Sequence, residues 1–181
     1  MNQKQDSVDY DIKRVSNLRN QTFEEAYQVH DVGQMIFCDR LEQFNLQAFE
    51  HGDDKRDEDV YSGTGIDLGV QHQGQTIGWV EIKTKTSESW LGRLNKEDWQ
   101  EYRGFATYVD EEVFVYFALV EDVDDARVSE RYFVRVPPMG EEDIAVDLPF
   151  ESKGHKIVEI ADAHRLQWPD VVYSFLDELH D

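Results

Sequence analysis

One cysteine, Cys38, in 181 residues excludes an internal disulfide, and no Cys/His pair stands at zinc-ligand spacing. Cys38 is expected as a small buried residue on a helix. No run of about eighteen apolar residues occurs, and the opening MNQKQDSVDYDIKR lacks the apolar stretch of a secretory signal. The expectation is a cytoplasmic chain with no membrane partner. Lysine is scarcer than arginine, while Asp and Glu number 39 against 18 basic residues, a formal net charge of -21. Carboxylates occupy surface positions that lysine ordinarily fills. Such a surface resembles that of halophilic proteins, where a Debye length of about 3 Å at 1 M screens self-repulsion. It would equally suit an acidic mimic of DNA. With so few cations, affinity for nucleic acid cannot come mainly from phosphate attraction, which leaves metal bridges, backbone N–H groups and shape.

What is present is enough for one folded domain: 40% apolar and 12% aromatic residues. Residues 1–21 are polar and read as an N-terminal arm, 22–136 as the core, and 137–181 as a C-terminal extension with a terminal helix opened by Pro169. Phe37, Leu41, Phe44 and Ala48 form a helical stripe, with Gly33 as a break and Gly52 as the stop. The charge run DDKRDED at 53–59 reads as a solvated loop. Strands are expected at 65–70 and 76–85, joined as a hairpin through QHQGQ. NKEDWQEYRGFATYV is an amphipathic helix with Asn95 at its N-cap. EVFVYFALV is a buried central strand, RYFVRV another strand, and KIVEI a last short strand after an acidic loop. The element order gives a mixed α/β fold.

Charges inside the hairpin need a reason, because an unpaired buried charge costs several kcal/mol or more. Period-two alternation puts Asp67 and Gly69 on one face, with Ile66, Leu68 and Val70 on the other; Glu81 and Lys83 share a face while Val80 and Ile82 enter the core. Two carboxylates and an ammonium on one side of a sheet suit phosphodiester hydrolysis. That chemistry must activate a water and stabilise charge on phosphate oxygens, which a magnesium ion does. Magnesium takes oxygen ligands octahedrally at about 2.1 Å and keeps several waters, so Asp67, Glu81 and the carbonyl of Ile82 would suffice. Lys83 would orient the water or neutralise charge in the transition state. A second Glu-x-Lys, Glu151-Ser152-Lys153, lies in a polar stretch where no strand has to carry it.

These residues resemble the PD-(D/E)xK nuclease superfamily, in a layout similar to archaeal Holliday-junction resolvases. Asp67 and Glu81 lie 14 positions apart, Lys83 completes Glu-Ile-Lys, and Glu42 lies 25 positions before Asp67 on a helix. The resemblance implies a restriction endonuclease-like mixed sheet flanked by helices, a Mg2+- or Mn2+-dependent deoxyribonuclease, and DNA as partner. It implies a further acidic residue at Glu42, binding through water or a second ion, and a polar residue near the metal on the following helix, for which Gln100 stands. Ser62, Gly63, Thr64 and Gly65 could let backbone N–H groups approach a phosphate, Lys85 and Arg93 could touch DNA, and Trp79 could stack a base. A silent relative acting as a binding module, and a DNA mimic, stay open here, as do monomer and homodimer.

Overall fold

A nearly unbroken apolar run from Val113 to Val120 cannot sit at a solvated edge, and it forms an interior strand of the sheet, paired on both sides. A computed structural model describes residues 23–51 and 65–177. In chain order they form α1 (Phe23–Glu42), β1 (Gln47–Glu50), β2 (Leu68–His72), β3 (Gln75–Lys85), β4 (Arg93–Asn95), α2 (Lys96–Tyr108), β5 (Val113–Asp122), β6 (Arg127–Arg135), β7 (Ala145–Ser152), β8 (His155–Ile160) and α3 (Trp168–Asp177). The expected arm at 1–21, the charge run at 53–59 and Ser62–Thr64 lie outside the described residues. Among those described, no helix is long and apolar enough to cross a membrane.

The main sheet is mixed, in the order β1-β2-β3-β5-β6. β5 pairs parallel to β3 and antiparallel to β6. Alternation along β5 divides the core. Phe114, Tyr116 and Ala118 pack with Val80, Ile82, Phe37 of α1 and Phe175 of α3. Val113, Val115 and Phe117 pack with Trp99 and Tyr102 of α2. Helices therefore cover both faces, as a mixed α/β fold requires. A second, antiparallel sheet β4-β8-β7 lies beside α2.

α1 is shorter than its apolar stripe implies. Asn45 adopts a left-handed φ of 57°, Asn45 N–H donates to Glu42 O at 3.0 Å and Leu46 N–H to Leu41 O at 3.1 Å. This double bond pattern terminates a helix, and Leu46 folds back into the core beside Leu41. Ala48 consequently lies on β1, not on the helix, and Gly52 is not the stop. Gly33 does not break α1 either. A Cβ there would lie 2.3 Å from the Thr84 methyl, so glycine lets α1 approach β3. Gly33→Ala gains up to about 1 kcal/mol of helix propensity against a clash costing about 1–3 kcal/mol. The expected result is a lower melting temperature, restored by adding Thr84→Ser, which removes that methyl; a melting temperature unchanged in the single variant would refute the contact.

The hairpin forms as read, with Gln73 at φ 50° and Gly74 at φ 84° making its two-residue turn. Ile66 departs from its expected face: it packs with Trp99 and Tyr102, while Leu68 and Val70 pack on the α1 side, because the chain bends at Asp67. The acidic stretch before KIVEI is a loop as far as Ile144, but from Ala145 to Ser152 it is an unexpected strand, β7. Its side chains are largely exposed, so it is held by its ladder to β8, which leaves no burial pattern to read. Lys153 and Gly154, at φ 51° and 80°, make the β7–β8 turn, consistent with a Glu-x-Lys that needs no chemistry.

Candidate active site

The site lies where β2 leaves β3. The ladder between them ends at Leu68↔Val80, so Ile82 has no β2 partner for its main chain. Asp67 supplies one with its side chain: Ile82 N–H donates to Asp67 Oδ2 at 2.8 Å. Reciprocally, Asp67 N–H donates to Glu81 Oε2 at 3.2 Å, and His51 N–H holds the Asp67 carbonyl at 2.9 Å. In a strand, a residue's N–H and C=O point to the same edge. The edge that offers Ile82 N–H to Asp67 therefore offers its carbonyl as well.

Helices complete the constellation from both faces. From α1, His30 Nε2 lies 3.3 Å from Asp67 Oδ2. From α2, Tyr102 Oη donates to Glu81 Oε1 at 2.7 Å, and Asp98 Oδ2 lies 3.8 Å from Lys83 Nζ. Lys83 Nζ reaches Glu81 Oε1 at 2.8 Å and stands 5.3 Å from the centre of the Tyr102 ring. Glu81 is 4% exposed, whereas Asp67 and His30 keep about a quarter of their side chains in solvent.

Burial governs the protonation of this group. It pushes the Glu81 carboxyl up to about 7, with the Asp67 charge adding to the shift and Lys83 and Tyr102 opposing it. Burial would also raise Asp67, but the His30 hydrogen bond and charge, the Ile82 N–H and Lys83 together hold it below the usual carboxylate range. His30 answers in kind: burial would lower it, yet Asp67 and Glu81 hold it above its ordinary value.

Two carboxylates, an imidazole and a main-chain carbonyl are the donor types of a divalent-cation site, and a bound cation would offset the burial that disfavours the charged Glu81. The residues fit such an ion. No three His, Cys, Asp or Glu side chains among those described already stand in ligating geometry, since Glu81 is engaged by Asp67 N–H, Tyr102 and Lys83. Asp67 Oδ1 accepts no hydrogen bond among the described residues.

Of the residues expected from sequence, Asp67, Glu81, Ile82 and Lys83 meet here. Glu42 does not: it lies twelve residues beyond His30 on α1, about 18 Å along the axis at 1.5 Å per residue. Gln100 does not either; it points away from Asp98 and Tyr102, its amide donating to Asp143 Oδ2 at 3.2 Å. Arg103, one turn after Gln100 on α2, is buried and grips Asp143 and the carbonyls of Pro137, Pro138 and Glu141. Sequence reading missed His30, Tyr102 and Asp98 as site residues. His30 had one signal: it precedes Phe37 and Leu41 by seven and eleven positions, on the helix face that meets the sheet.

No family model matches the sequence, and no curated protein does. Among solved structures the fold is similar to that of Archaeoglobus fulgidus Hjc, a Holliday junction resolvase from an archaeal hyperthermophile. That likeness has a TM-score of 0.49 and 12% sequence identity, over 77% of this chain and 96% of the other.

Proposed function

We propose that this chain is a Mg2+- or Mn2+-dependent deoxyribonuclease that hydrolyses phosphodiester bonds with a metal-activated water. The observation that carries the reading is the convergence of Asp67, Glu81 and Lys83, 14 and 2 positions apart in sequence, at the place where β2 leaves β3. A solvated hairpin face would have no reason to bury Glu81. The order α1, hairpin, α2, then β5 parallel to β3 is also the one implied by resemblance to the PD-(D/E)xK superfamily.

Asp67, Glu81 and the Ile82 carbonyl would hold the ion, which supplies a Lewis acid and a water of lowered pKa when bound. His30 fixes Asp67 through Oδ2 and leaves Oδ1 for that role. Among the described residues Lys83 is the ammonium beside the buried carboxylate, and it donates to the attacking water or to a phosphate oxygen. Tyr102 holds Glu81 Oε1 and so sets the plane of its carboxylate.

The test is cleavage of labelled single-stranded, duplex and branched DNA with Mg2+, Mn2+ or chelator, in high salt to screen the net charge. Cleavage that requires the ion, with a rise in melting temperature as it binds, is expected. Intact DNA of every form together with no thermal shift would end this reading.

A further inference from the structure

β3 carries more of the site face than the reaction uses. Period-two alternation places Trp79, Glu81, Lys83 and Lys85 on one side, each pair about 6.7 Å apart along the strand. Lys85 is therefore one step beyond Lys83, away from Glu81. It is half-buried, yet no carboxylate lies within ion-pairing distance of it among the described residues, and its Nζ has only the Trp90 ring, 6.0 Å from the centroid.

Most lysines and arginines among the described residues are ion-paired, but Lys85, like Arg40, Arg131, Lys153 and Lys156, is not. Acids outnumber bases 39 to 18, and Arg93, Lys96, Arg103, Arg127, Arg135 and Arg165 each sit against a carboxylate. Arg93, offered by the sequence as a DNA contact, is taken by Glu159 at 2.8 Å. The charges felt at Lys85 are those of Lys83, which disfavours its ammonium, and of Asp98, which favours it less strongly; burial is the larger cause and lowers it to about 8. A half-buried cation with no carboxylate beside it among the described residues is costly, and an anion arriving from outside would relieve that cost.

We propose that Lys85 binds the phosphate next to the one being cut, so that a single DNA strand lies along β3 with successive phosphates at Lys83 and Lys85. Two residues of strand, about 6.7 Å, separate the Lys83 and Lys85 backbone positions, a step close to the separation of successive phosphates in one nucleic-acid strand. Lys85 is thus a binding residue and Lys83 a catalytic one, on adjacent phosphates. This inference rests on the nuclease reading above.

Steady-state cleavage of a labelled single-stranded oligonucleotide by the full chain, across a salt series, tests it with Lys85→Gln and Lys85→Arg. For Lys85→Gln, KM is expected to rise about tenfold with a much smaller change in kcat, and the slope of log KM against log salt to fall by about 0.7–1. Lys85→Arg, which keeps the charge, is expected to stay near wild type in both. A melting temperature at or above wild type for Lys85→Gln, which loses the half-buried charge, and near wild type for Lys85→Arg, which keeps it, would establish that both variants fold. A wild type that cleaves, with KM and salt slope unchanged in Lys85→Gln, overturns the inference and leaves the nuclease reading standing. A fall in kcat as large as that of a Lys83 variant overturns it too, placing Lys85 in the chemistry. A wild type that cleaves nothing removes both.

Discussion

Lys83→Ala is expected to lower kcat by about 10²- to 10⁴-fold, the range of a positioned proton donor or charge stabiliser, while the protein still folds. The fold survives because Glu81 has a second donor: when Lys83 Nζ, 2.8 Å away, is lost, Tyr102 Oη remains at 2.7 Å and the carboxyl takes up a proton. The Ile82 N–H bond to Asp67 does not involve Lys83, so the strand edge keeps its shape. KM should change little, because Lys83 already has a carboxylate partner in the free protein and supplies its new interaction chiefly as charge develops on the phosphate. Single-turnover cleavage at saturating DNA, beside a melting curve for each protein, is the measurement. A folded Lys83→Ala protein cutting at the wild-type rate would remove Lys83 from the mechanism.

The second large effect has opposite signs with and without metal. Glu81 titrates at about 7 in the folded protein against 4.5 for the free side chain, because burial penalises its charged form. A carboxyl raised on folding contributes stability below its unfolded pKa, and that contribution is lost as pH rises through the folded pKa, here between about 4.5 and 7. In chelator at pH 8 the charged Glu81 is therefore a burden on the order of 3 kcal/mol, taking 1.36 kcal/mol per pKa unit. Glu81→Gln keeps the shape and the acceptor for Tyr102 and gives up only the long 3.2 Å bond from Asp67 N–H, so it is expected to melt higher than wild type under those conditions. A gain of roughly 2–4 °C per kcal/mol is usual for a chain of this length. The advantage should shrink as pH falls toward 4.5. With Mg2+ or Mn2+ added, wild type should rise in melting temperature while Glu81→Gln does not, and cleavage by the variant should be lost. A Glu81→Gln protein less stable than wild type in chelator at pH 8 would show that the carboxylate serves the fold and not an ion.

Much of this arrangement is legible from local chemistry. Alternating and continuous apolar runs locate β2, β3 and β5, because a strand's side chains must match the environments of its two faces. The Gln73-Gly74 turn makes the hairpin, and the hairpin sets Asp67 near Glu81 once the strands pair. The charged residues of β3 stand out for the same reason: a strand that carries Glu81 and Lys83 inside GWVEIKTKT has to compensate them. Exposed elements leave no such trace. β7 is held by backbone bonds to β8, and its side chains, mostly in water, carry no period to read.

The sequence by itself determines the mixed α/β class, the hairpin and the Asp67, Glu81 and Lys83 trio, since each follows from periodicity and the cost of burying charge within a few neighbouring residues. Only the tertiary structure decides which residues of other elements join them. The termination of α1 at Asn45 and the close approach at Gly33 bring His30, not Glu42, to Asp67, and the rotation of α2 turns Asp98 and Tyr102 inward while Gln100 and Arg103 serve Asp143. Those choices depend on helix length, phase and packing distance, quantities fixed by contacts between segments far apart in the chain and by no local pattern.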